Sequence, residues 1–212
     1  LSISDRMTIS NMSAEAGAKA GIFPVDNVTR EWNKQFNFTD EGLKADENAS
    51  YEQELSFDLA NLTPRIAQPH KVDNVIPVNE LPRIKIDVAL LGTCTNGRIE
   101  DLRIAAEILK GKKIHPNTRL LIYPASRSIL NQAIKESIME IFVDAEGQIG
   151  IPACGPCLGE YGGTLAPGEK AISTANRNFK GRMGTRDAEI YLANPAVVAK
   201  SAIAGYITNE EV

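Results

Sequence analysis

Three cysteines, Cys94, Cys154 and Cys157, have the widest chemical reach of any residues in this chain. Cys154-Gly155-Pro156-Cys157 has the spacing of a thioredoxin-like redox pair. That motif normally opens a helix near the start of a βαβ unit, whereas here it follows a late strand-like run. Cys94 alone reads as an ordinary buried thiol. Two thiols flanking Gly-Pro in a glycine-rich stretch point more strongly to chemistry. Three thiolates from two loops suit either zinc or an iron–sulfur centre. A structural zinc site takes four ligands, and neither His70 nor His115 stands at ligand spacing to the cysteines. A cubane held by three thiolates would leave one iron open to substrate.

Two further groups have the right types for chemistry. In NRNFKGR, residues 176–182, Arg177 and Arg182 stand near Asn176 and Asn178 on a glycine-containing segment. Arginine's planar fork pairs carboxylates bidentately, so the two suit a substrate with more than one carboxylate. The plain alternative is a pair of surface charges. Asn11 and Glu15 stand four apart on a helix-like run and so share a face. Spacing alone makes that a solvated face.

These groups need elements to position them. From Ile84 onward the pattern is regular: IKIDVALLG reads as a strand and IEDLRIAAEILKG as a helix ended by glycine. TRLLIYP is a second strand, SRSILNQAIKESIMEIF a helix, QIGIPA a third strand, KAISTAN a fourth, and 195–203 a closing helix. Alternation of this kind predicts an α/β fold, a mostly parallel sheet with helices on both faces. Ligands of such sheets bind beyond the strands' carboxyl ends. GTCTNGR, CGPCLGEYGG and NRNFKGR all follow strands, which implies one composite site. The helix beginning near Arg98 would turn its positive dipole end to an anionic centre. The expected organisation is 1–30 as the tail of an upstream domain, 31–83 as connector, and 84–212 as the cysteine-bearing domain. Pro64, Pro69, Pro77 and Pro82 favour extended chain and turns in the connector. The chain opens on Leu1 inside a helix start, with Ser4 or Asp5 as candidate caps, so a fragment or processed chain is expected.

Composition narrows the classes. At 212 residues, with 43% hydrophobic and 24% charged residues, the chain is an ordinary globular one. A net charge of −4 with scattered basic residues gives no nucleic-acid footprint. No apolar run approaches the ~20 residues that span a bilayer, and the first residues lack a signal-peptide core. Three cysteines without an export signal point to a reducing, cytoplasmic compartment.

The runs GTCTNGRIEDLRIAAEILKGKKI, PAS at 124–126, CGPCLG and TANRNFKGRMG resemble the aconitase superfamily in order and spacing. So do MTISNMSAEAGAKAGIFPVD and YLANPAVVAKSAIAGYI, and only about 27–80 matches weakly. Gly97-Arg98 is most similar to the large subunits of the isopropylmalate and homoaconitate dehydratase branch, in their carboxy-terminal portion. The resemblance implies an iron–sulfur hydro-lyase that moves a hydroxyl between adjacent carbons. Its substrate would be 2- and 3-isopropylmalate, or alternatively homocitrate or citramalate; a non-catalytic RNA-binding relative is the remaining reading. It implies a [4Fe-4S] cluster on Cys94, Cys154 and Cys157 with one iron open to substrate. Asn176, Arg177 and Arg182 would hold the di- or tricarboxylate substrate. Asn11 and Glu15 would reach water or hydroxyl near the open iron, with Glu15 catalytic, and Asn96 would lie beside the cluster. A separate small subunit would bring the swivelling domain. Thr93 and Ala175 depart from the family pattern, where small hydroxyl residues are commoner, and no ligand is touched by either.

Overall fold

The computed structural model describes residues 1–39 and 42–212, in two compact units, Leu1–Thr63 and Pro64–Val212. The first unit holds α1 (Ile3–Met12), a 3₁₀ turn (Ser13–Ala16) and α2 (Asn27–Lys34). Ser2, not Ser4 or Asp5, caps α1. Its hydroxyl accepts from the Asp5 amide, and the Asp5 carboxylate accepts from the Ser2 amide, a capping box. The helix ends at Met12, and the chain turns through left-handed Gly17. Asp26 caps α2 and also takes both arms of Arg6 at 2.7 and 2.8 Å. The Arg6 guanidinium holds the Asp26 carboxyl well below the usual carboxylate range. None of the described residues of this unit is buried, and Ile22, Leu43 and Phe57 are largely exposed.

In the second unit the chain runs β1 (Arg65–Ala67), β2 (Val75–Pro77), β3 (Val88–Gly92), α3 (Thr93–Asn96), α4 (Ile99–Leu109) and β4 (Arg119–Tyr123). It continues through α5 (Arg127–Lys135), α6 (Ile138–Asp144), β5 (Gln148–Ile149), β6 (Lys170–Ser173), β7 (Glu189–Leu192) and α7 (Pro195–Ala204). One seven-stranded sheet results, in the order β2-β1-β7-β6-β3-β4-β5. β3 to β7 are parallel, and the β1–β2 hairpin adds antiparallel strands beside β7. The α/β, mostly parallel expectation therefore holds. Pro64, Pro69 and Pro82 lie outside β1 and β2, and Pro77 ends β2 at the sheet edge, where a residue without an amide proton is tolerated.

Three elements differ from the expected pattern. The long helix over 126–142 is two, because Ser137 adopts a left-handed conformation with φ 56° between α5 and α6. QIGIPA contributes only the two exposed residues of β5, at the sheet edge. EIYL, unremarked in the sequence, supplies β7, almost wholly buried.

The two faces of the sheet are closed differently. Ala89, Leu91, Leu120, Ile122, Ile172 and Tyr191 point into a core completed by α4, α5, α6 and α7. Val88, Leu90, Leu121, Tyr123, Ala171 and Ile190 point into a second core, closed by Cys157, Leu165, Met183 and Ala188 from irregular segments. Helices were expected on both faces. The physical reason for the difference is that the connection into β6 is too rich in glycine and proline to hold a helix of useful length, and the connection into β7 is interrupted by Gly181 and Gly184.

The strand order also places the site. The chain leaves β3 toward β4 and β5, then returns to β6 and β7 on the other side. The loops after β3 and β6 thus diverge from adjacent strands, the crevice where open α/β sheets bind ligands. No helix among the described residues is long and apolar enough to cross a membrane. Limited proteolysis of the 212-residue chain should cut first within 1–63, which buries no described residue, and leave a resistant product starting near Pro64. Equal protection of both units would contradict this.

Candidate metal centre and carboxylate site

β3 is buried at every position, so its end is held rigidly. There the backbone turns sharply, with φ 105° at Gly92 and φ 75° at Thr93. A Cβ at Gly92 would stand 2.1 Å from the Tyr123 carbonyl oxygen, so glycine is obligatory. Thr93 is β-branched, and its left-handed backbone is strained; such strain persists only where the surroundings over-determine it. Here the Thr174 hydroxyl accepts from the Gly92 amide at 2.8 Å and donates to the Gly92 carbonyl at 3.3 Å. The turn opens into α3, which buries Thr93 and Thr95 and leaves Cys94 exposed.

Asn96 closes α3 and reaches across the crevice. Its amide nitrogen donates to the Thr174 carbonyl and, at 2.7 Å, to Asn176 Oδ1. Asn96 and Asn176, both expected near substrate, are thus partners in a tie between the β3 and β6 loops. α4 follows, with the Asp101 carboxylate accepting from the Arg98 amide at 3.0 Å. The first free amide of that helix end is therefore satisfied from within.

Cys154 and Cys157 come from the segment after β5. Gly155–Leu158 form a 3₁₀ helix started by Pro156 and ended by left-handed Gly159. Cys157 is buried in the second core and Cys154 is half-buried against it. Burial pushes the Cys154 thiol up to about 11, with Cys157 and then Cys94 adding to the effect. The Cys154 thiol therefore feels both of the others across the two loops, and all three are free of disulfides. Thiolates brought together repel one another, and a bound cationic centre reverses that penalty.

Among the described residues no three His, Cys, Asp or Glu side chains are disposed to hold a single metal ion. A cubane makes a different demand, because its irons occupy separate corners and each takes one thiolate. Three soft, disulfide-free donors from two loops, with no carboxylate or imidazole among them, fit that demand in chemistry.

The β6 loop brings the remaining groups. Asn176 is buried, Arg177 half-buried, and Arg182 half-buried with a guanidinium nitrogen 4.0 Å from Cys157 Sγ. Asn178, read beside the arginines as part of a clamp, has another task. It is fully buried and donates to the carbonyls of Gln68 and Lys71 at 2.8 and 3.3 Å, holding the β1–β2 turn. That turn also carries His70, and at the start of β7 the hydrogen bond from Lys170 holds the Glu189 carboxyl below its ordinary value. Asn11 and Glu15 lie in the first unit, Asn11 in the last turn of α1 and Glu15 in the 3₁₀ turn. The uninterrupted α-helical face expected of them is absent, because the α-helix ends between them.

Sequence reasoning missed Tyr123. Its ring lies 2.2 Å, 2.8 Å and 2.9 Å from where side chains on Gly150, Gly155 and Gly162 would begin, and its hydroxyl donates to the Gly162 carbonyl at 2.8 Å. One signal was available: an aromatic ending a strand, followed by a distant cluster of glycines.

The profile of the "Aconitase family (aconitate hydratase)" matches residues 1–205. The 3-isopropylmalate dehydratase large subunit of Clostridium kluyveri is 50% identical over 212 residues, 100% of this chain and 50% of that protein. That of Oleidesulfovibrio alaskensis is 49% identical over 209 residues, 99% of this chain and 50% of the relative. The large subunit 2 of Archaeoglobus fulgidus is 47% identical over 213 residues, 99% and 51% respectively. The chain spans about half the length of the curated relatives it matches. With a family profile over residues 1–205 and an identity of one half along the whole of the given chain, this chain belongs to the aconitase family.

Proposed function

We propose that this chain supplies the cluster-holding part of a hydro-lyase that interconverts 2-isopropylmalate and 3-isopropylmalate by dehydration and rehydration, working with a separate small subunit that carries the swivelling domain. The observation that carries the reading is the meeting of three disulfide-free thiols and an arginine at the sheet's switch point, in a chain about half identical to 3-isopropylmalate dehydratase large subunits. Cys94, Cys154 and Cys157 are assigned to a [4Fe-4S] cluster. When bound, that cluster supplies a Lewis acid for the departing hydroxyl through an iron without a protein ligand.

The chain's own residues do the rest of the holding. Arg177 and Arg182 take the substrate carboxylates, neutralising charge that would otherwise oppose loss of the neighbouring carbon-bound proton. Asn96 fixes the amide of Asn176 beside them. Asn11 and Glu15 are assigned to the hydroxyl or water, with Glu15 moving a proton at its carboxylate. The base for the carbon-bound proton belongs to the partner. Homocitrate and citramalate share the same hydroxy-diacid core, so activity on each of the three substrates tests the tail.

Anaerobically prepared chain should be brown and hold roughly four irons with matching sulfide, the content of a cubane. Stoichiometric zinc without sulfide would sink the assignment. In the complete enzyme, Arg177→Lys loses the bidentate fork and should cost ~1.5–3 kcal/mol in kcat/KM, the worth of a hydrogen bond to a charged group. Cluster content should not change, and normal turnover would remove Arg177 from the clamp.

The isolated chain should not turn over, for a reason of inventory. Among its described residues, Glu15 is the proton-transfer candidate assigned to the site. His115 sits where β4 begins, against Gly205 and away from the strands' carboxyl ends. Loss of general acid–base help costs typically ~10²–10⁴-fold. Ultraviolet absorbance from the unsaturated acid should stay flat when reconstituted chain meets substrate. A measurable rise would mean that acid and base are both present here.

A further inference from the structure

Arg182 is in an unusual position for a residue that only grips substrate. A terminal nitrogen of its guanidinium lies 4.0 Å from Sγ of Cys157, which is buried in the second core. Its Nε is buried and has no hydrogen-bond partner among the described residues. A buried cationic donor left unsatisfied is costly unless an anion faces the group. The sulfur that the same guanidinium approaches belongs to Cys157, and a thiolate is the form of cysteine that ligates iron.

We infer that Arg182 is a positioning residue for the metal centre: it donates an N–H to the Cys157 sulfur and so sets the charge balance and reduction potential of the cluster held there. This rests on the cluster assignment proposed above and adds a task to the carboxylate role given to Arg182. The physical cause is direct. A positive charge and a hydrogen bond at a ligand sulfur stabilise the more negative, reduced cluster and raise its potential. One arginine placed between sulfur and substrate also couples the two. A carboxylate that draws the guanidinium toward itself weakens its hold on the sulfur.

The test uses the 212-residue chain, reconstituted anaerobically with iron and sulfide and free of substrate, so that carboxylate binding cannot contribute. Wild type, Arg182→Gln and Arg182→Lys are compared for iron and sulfide content and for midpoint potential by electron paramagnetic resonance titration. Arg182→Gln should keep the iron count and shift the oxidised-to-reduced equilibrium about tenfold toward the oxidised form, ~59 mV more negative for one electron. Arg182→Lys should shift less, since it keeps the charge. If Arg182→Gln loads poorly, the Arg182→Lys shift measured against wild type decides. Equal potentials in wild type and both Arg182 variants would overturn the inference while leaving the cluster assignment intact. A wild-type chain that takes up no iron–sulfur centre would overturn both.

Discussion

The thickness of one side chain, Tyr123, governs the distance between the two cysteine-bearing loops. Tyr123 ends β4, is 7% exposed, and meets both loops at contact distance. On its backbone side, the carbonyl leaves no room for a Cβ at Gly92 or Gly97, the residues that bracket Cys94. On its ring side, Gly150, Gly155 and Gly162 come so close that any Cβ would collide with ring atoms. Protein interiors are packed as densely as organic crystals, so such a contact cannot be widened or narrowed without moving backbone. The relation of the Cys94 loop to the loop of Cys154 and Cys157 is therefore a steric property of the packing around Tyr123.

Across the crevice the constraint is polar. Thr174 accepts from and donates to Gly92, and Asn96 bridges to the Thr174 carbonyl and to Asn176. Buried polar groups are expensive to leave unpaired, so this network opposes any drift of the β6 loop from the β3 loop. Asn178 extends the same logic to the β1–β2 turn. Three loops from distant parts of the chain are thus fixed to one another, by volume on one side and by hydrogen bonds on the other. A face closed by loops costs regular secondary structure, and it allows many short segments to present side chains at one edge.

The two faces of the sheet divide the labour accordingly. The helical face carries the larger apolar core, with Phe142, Leu102, Leu109 and Ile122 inaccessible or nearly so. The loop face carries the thiols, Arg182 and the strained turn at Thr93. Strain and buried charge of this kind reduce stability locally, and a well-packed opposite face makes them tolerable. The first unit has no comparable resource, since none of its described residues is buried.

Several features were settled by residue order alone. β3, α4, β4, β6 and α7 were legible because buried parallel strands read as continuous apolar runs and their crossover helices as 3.6-residue stripes. Cysteine spacing, the arginine-bearing loop and the placement of both beyond strand ends followed from the same pattern. The break at Ser137, the short β5 and the strand at Glu189–Leu192 were not legible. Each depends on what packs against it, and short apolar runs carry no periodicity that separates strand from loop. Only the tertiary structure decided that helices close one face and loops the other, that Asn178 serves the β1–β2 turn, and that Arg182 lies against Cys157. Those outcomes turn on contacts between residues distant in sequence, such as the 25 positions between Cys157 and Arg182. Local propensity holds no information about such contacts, because the free energy that selects them is that of the packed whole.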